Sequence, residues 1–243
     1  MQIRSVFTPI KKCMNIVRTA FSRDTKPVAQ DLVASGAEAM DSQGRAIVKM
    51  AKNQIIPERT DFRSTKEMFE YSKGKIIPPL EGEAPYEYTV VANVKDNKVL
   101  AEYKGDDHKC TLDNLESMLS EDQNVVLIHG HPGSYPISPT DVTTLLRYNI
   151  GQIIAIDKNG QFSMVAKRAD VPSAKVKSKA YKSFDKDCLD DYDMYYSIHS
   201  DQLLKHSTHD TLKKNADNLG IRYCTNYEYL KHGFFAKCRS GKV

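Results

Sequence analysis

The stretch Val125–Asp141, VVLIHGHPGSYPISPTD, constrains this chain more than any other. It begins as an unbroken apolar run, the pattern of a buried strand, and the run closes on two histidines, His129 and His131. Side chains alternate faces along a strand, so residues i and i+2 stand on the same side about 7 Å apart along the backbone. Both imidazoles therefore aim at one point. Pro132 ends the strand by removing a ladder donor, and GSYPI supplies a loop able to fold back over the strand end.

The chain then re-enters a helix at SPTD, with Pro139 suited to the first helical position. Two readings of this tetrapeptide stand side by side. Ser138 with Asp141 three residues on is a capping box and needs no metal. Alternatively, the first helical turn carries Asp141 towards the histidines. Two neutral imidazoles and a carboxylate are a suitable set of three protein ligands for catalytic zinc, which keeps its fourth position for water.

Around this stretch the pattern is that of an α/β or α+β domain. YEYTVVANV and KVLAEYKG are strand-like runs joined by KDN, a hairpin. TLDNLESMLSED carries Leu112, Leu115 and Leu119 at helical spacing. After the helix PTDVTTLLRYN, the segments QIIAID, KNG and QFSMVA form a second hairpin. Beyond about Pro172 the chain turns helical and charged, and DQLLKHSTHDTLKKNADNLG ends in a glycine stop before the strand-like IRYCTN.

The opening region, residues 1–80, reads as helical and polar. In PIKKCMNIVRTAF the apolar residues Ile10, Met14, Val17 and Phe21 recur at three- and four-residue steps, giving one amphipathic, basic helix. Its apolar stripe packs on the rest of the protein or lies on a membrane surface. PVAQDLVASGAEAM and GRAIVKMAKNQI carry helix formers. At GKIIPPLEGEAP, Gly74–Pro85, paired prolines and glycines forbid a regular element and mark a boundary. Residues 81–243 then form the main domain, with a core over 86–168 and a helical C-terminal extension.

Composition narrows the function classes. The 35 basic and 31 acidic residues leave a net charge of +4 with no long single-sign field, so nucleic acid is not expected as a partner. The five cysteines are far apart, without the close pairs that clamp zinc, and fit a reducing compartment. No apolar run approaches the roughly 20 residues needed to span a bilayer, and MQIRSVFTPIKK lacks the apolar segment of a secretory signal. The expected location is the cytoplasm, with delivery or virion association as further options.

HGHPGSYPISPTD resembles the signature of the JAB/MPN metalloenzymes, the JAMM motif, in which H-x-H-P is followed by S-x-x-D. The spacing from the second histidine to the serine is one residue shorter here than in the eukaryotic deubiquitinases, and is closer to the phage and prokaryotic branch. The likeness covers roughly Tyr86–Lys167. It implies a mixed sheet flanked by helices, and a zinc-dependent metalloprotease or isopeptidase acting on a protein or peptide, such as a ubiquitin-like conjugate. His129, His131 and Asp141 match the zinc ligands, and Ser138 matches the serine that steadies the oxyanion. The family also implies an upstream glutamate as general base. Glu87, opening EYTVVANV, is the first choice and Glu102, in VLAEYKG, the second. Family members with an incomplete motif serve as binding platforms, so a non-catalytic binding or virion structural module is the alternative function.

Three further histidines, His199, His206 and His209, could share one helical face, which is expected to be exposed.

Overall fold

A computed structural model describes residues 39–40, 46–47, 53–119, 123–133, 135–168, 178–189 and 201–227. In chain order the strands are β1 (Ala39–Met40), β2 (Ala46–Ile47), β3 (Gln54–Ile55), β4 (Tyr88–Asn93), β5 (Lys98–Lys104), β6 (Val125–Gly130), β7 (Gln152–Ile156), β8 (Phe162–Lys167) and β9 (Ile221–Thr225). The helices are α1 (Thr65–Glu81), α2 (Leu115–Met118), α3 (Pro139–Arg147), α4 (residues 178–189) and α5 (Asp201–Leu219).

Seven strands form one mixed sheet in the order β3, β5, β4, β6, β7, β8, β9. Both expected hairpins are present, β4 with β5 and β7 with β8. The single parallel pair among them is β6 with β7, as it must be when a helix, α3, carries the chain back across the sheet. Every residue of β6 is buried, which fits a central strand covered on both faces.

The alternation along β6 divides the core in two. Val126 and Ile128 pack with Met68, Ile76 and Leu80 of α1, on one face. Val125 and Leu127 pack on the other with Val142 and Leu145 of α3, Phe184 of α4 and Leu212 of α5. His129 continues the second set, and Gly130 the first. A Cβ on Gly130 would lie 2.7 Å from Ile76 Cγ2 and 3.0 Å from Leu80 Cδ1. The residue between the two histidines is thus glycine because α1 presses on the back of the strand.

Several expectations need correction. The Gly74–Pro85 stretch does not forbid a regular element: α1 runs to Glu81 with Pro78 and Pro79 inside it. Ile76 and Leu80, one turn apart, are buried against the sheet, and that burial outweighs the poor helix propensity of proline in the last turn. β3 pairs with β5 and α1 covers β4 and β6, so residues 54–81 belong to the same packing unit as the rest. Within the helix-forming stretches, Ala39–Met40 and Ala46–Ile47 pair as short antiparallel strands. The amphipathic helix around Ile10–Phe21 lies outside the described residues. Of the helix expected over TLDNLESMLSED, the turn Leu115–Met118 is helical among the described residues, entered through Asn114 in the left-handed region at φ 64°. The stop after α5 falls at Gly220, φ 69°. No helix among the described residues is long and apolar enough to cross a membrane.

Candidate metal centre

The site lies where β6 ends. The amide of His131 still donates to the Ile156 carbonyl at 3.1 Å, so the ladder with β7 holds the strand through the second histidine. Both histidines are buried, and their rings sit 4.6 Å apart between centroids. His131 Nδ1 lies 2.9 Å from the Tyr135 carbonyl, which can only accept, so Nδ1 carries the proton and Nε2 offers a lone pair. His129 Nε2 is 2.8 Å from that same Nε2.

Asp141 arrives from the first turn of α3, and the capping box is complete. The Ser138 hydroxyl accepts from the Asp141 amide at 3.2 Å, and Asp141 Oδ2 accepts from the Ser138 amide at 2.8 Å. The Ser138 hydroxyl also donates to Oδ2, at 2.8 Å. This leaves Oδ1 facing His129 Nε2 at 3.4 Å, while Oδ2 is 3.6 Å from His131 Nε2. Capping and ligation are therefore not alternatives. The cap holds the carboxylate by Oδ2 and leaves Oδ1 turned to His129, with the capped Oδ2 the oxygen nearer His131.

The donor set fits a small, borderline-soft cation. The three ligand atoms lie within 4.8 Å of one another. Tetrahedral zinc with bonds of about 2.0–2.1 Å separates its ligand atoms by about 3.4 Å. The 3.4 Å between Asp141 Oδ1 and His129 Nε2 matches that, and the two ring nitrogens would need to part by about half an ångström. A hard cation such as calcium takes six to eight oxygens, which this pocket does not supply.

The charges in the site act strongly on one another. Burial works against charge on His129, but the facing Asp141 carboxylate outweighs it and raises the imidazole above its ordinary value. His131 is held below its ordinary value by burial and by neighbouring His129. Burial opposes ionisation of Asp141, yet His129, His131 and the Ser138 amide hold it well below the usual carboxylate range.

The two glutamates separate cleanly. Thr89 pairs with His129 across β4 and β6, and continuing that antiparallel register brings Glu87 opposite His131 on the histidine face. Burial pushes the Glu87 carboxyl up to about 7, against the pull of His129 and with the push of Asp141 and Asp106, while the Cys110 amide donates to it. Glu102 pairs with Val90 and points to the opposite, α1 face. There it is buried and accepts from Tyr71 at 2.6 Å and from Tyr88. It has no path to the histidines.

Neither the Tyr135 carbonyl nor the Cys110 amide is visible as a site group in the sequence, because backbone groups carry no residue signature. The expected exposed histidine face is also corrected. His209 is buried, with Nδ1 2.9 Å from the Tyr223 hydroxyl, because α5 lays that side of the helix on β9. His199 and the His206 side chain lie outside the described residues. Among the described residues no disulfide joins Cys110, Cys188 and Cys224.

No family model matches the chain, and neither a curated protein nor a solved structure matches it.

Proposed function

We propose that this chain is a zinc-dependent hydrolase of peptide or isopeptide bonds, with His129, His131 and Asp141 as metal ligands and Glu87 as general base. The observation that carries the reading is the gathering of a ring nitrogen each from His129 and His131 and a carboxylate oxygen of Asp141 within 4.8 Å of one another, with a carboxyl raised to about 7 on the same face. Zinc held there would act as a Lewis acid on the scissile carbonyl and bring the pKa of water towards about 7.

Glu87 accepts the proton of the attacking water and returns it to the leaving amine. A carboxyl titrating close to neutrality suits both directions of that transfer. The Cys110 amide keeps the carboxylate in place between the two transfers. Ser138 donates its hydroxyl hydrogen to Asp141 at rest. Turned outward, the same hydrogen serves the oxyanion that develops on the substrate carbonyl, while the Ser138 amide keeps its hold on Asp141. The substrate class is a protein or peptide, with a ubiquitin-like conjugate as the example that the JAMM resemblance suggests.

The test uses the full chain purified without added metal, its His131→Ala variant and its Glu87→Gln variant. About one zinc per chain is expected in the parent, none in His131→Ala, and one in Glu87→Gln. Cleavage of a peptide or ubiquitin-like conjugate library is expected in the parent alone. Zinc without cleavage in the parent would favour a binding module that uses the metal for structure; no zinc in the parent would sink the reading.

A further inference from the structure

We infer that Ser163 and Tyr227, which belong to the C-terminal half of the sheet, are positioning residues for the metal centre, an inference that rests on the zinc reading above. The loop between His131 and Ser138 has two tasks. Its Tyr135 carbonyl fixes the tautomer of His131, and its last residues deliver the helix start that holds Asp141. A loop does neither unless something outside it fixes its path.

Two buried side chains do so. Ser163 of β8 is fully buried, and its Oγ accepts from the Ile137 amide at 2.6 Å. Ile137 is itself fully buried and precedes Ser138, so this bond sets where α3 begins and hence where Asp141 stands. Tyr227, also fully buried, donates to the Tyr135 carbonyl at 3.5 Å, the same carbonyl that accepts from His131 Nδ1–H. Lys205 of α5 adds a third contact, with Nζ 4.7 Å from the centre of the Tyr135 ring.

Tyr227 is held stiffly enough for this. The Phe162 amide donates to Asn226 Oδ1 at 2.5 Å, the Asn226 amide returns to the Phe162 carbonyl at 3.0 Å, and the Tyr227 amide donates to Thr225 Oγ1 at 3.1 Å. The strand pair β8 and β9 therefore reaches two of the three ligands through one loop. Groups that orient metal ligands typically change metal affinity by about 10- to 100-fold when removed.

The experiment measures zinc affinity by competition with a chromogenic chelator for the full chain, Tyr227→Phe, Ser163→Ala and His131→Ala, alongside thermal melting of each metal-free protein. The ¹⁵N resonances of the His131 ring are read in the metal-free parent and in Tyr227→Phe. Both positioning variants are expected to bind zinc about 10-fold more weakly or worse. Tyr227→Phe is expected to melt close to the parent, and its His131 ring to lose the pure Nδ1–H tautomer. If Ser163→Ala fails to fold, Tyr227→Phe decides. Parental zinc affinity in Tyr227→Phe with an unchanged His131 tautomer would overturn the inference. Zinc bound equally by the parent and His131→Ala, or by neither, would instead remove the metal reading and this inference with it.

Discussion

Thr89 and His129 are register partners across β4 and β6, and that one pairing decides which acid can serve the site. Side chains alternate along β4 with a period of two, so a slip of one residue would turn Glu87 to the α1 face and bring Tyr88 to the histidines; the observed register does the opposite. Glu102, displaced onto the other face by the same rule, becomes the anchor of Tyr71 and Tyr88 instead.

Glu102→Ala should therefore leave zinc binding intact and damage the fold. It strips the acceptor from two phenol hydroxyls, one of them on a buried tyrosine, at a cost of about 2 kcal/mol or more. Urea unfolding of the metal-free protein checks the stability, and chelator competition the metal. Loss of zinc affinity in a still-folded variant would contradict the assignment of the two faces.

Asp141→Asn and Ser138→Ala should separate capping from ligation. The asparagine keeps an oxygen for the Ser138 amide but loses the anionic ligand, so zinc affinity should fall at least about 10-fold with melting little changed. Ser138→Ala removes the hydroxyl that accepts from the Asp141 amide and should cost about 1 kcal/mol of stability. Paired melting and zinc titrations distinguish the two; equal stability losses in both variants would show that Asp141 acts chiefly as a cap.

Glu87 makes a prediction about pH. Its carboxyl is raised from 4.5 to about 7 by burial, so the folded protein keeps a proton that the unfolded chain releases earlier. Its contribution to stability thus falls as pH rises from 4.5 to about 7 and is level above that. In the metal-free protein, Glu87→Gln should gain melting temperature relative to the parent across this window. A constant difference from about pH 4 to about pH 8 would show that the carboxyl is not desolvated.

Gly130→Ala tests why the two histidines flank a glycine. The added methyl meets Ile76 and Leu80 of α1, and the overpacking should cost about 1–3 kcal/mol. Melting measured in the metal-free state isolates that cost from any effect on ligation. A variant as stable as the parent would mean that α1 can move away from β6 freely.

The local elements around the site were legible in the chain, because each rests on a short-range rule. The apolar run of β6, the histidines two apart, the capped start of α3 and both hairpins follow from side-chain alternation, capping chemistry and turn residues within a few positions. In the structure the Ser64 hydroxyl accepts from the Glu67 amide and opens α1, which then runs through Pro78 and Pro79. Whatever depends on distant partners was set by packing and strand register. Burial of Ile76 and Leu80 holds α1 helical, the register of β4 on β6 selects Glu87 over Glu102, and packing on β9 buries His209. Ser163 and Tyr227 reach the loop between His131 and Ser138 through strand pairings that join residues far apart in the chain, and no local pattern encodes such a contact.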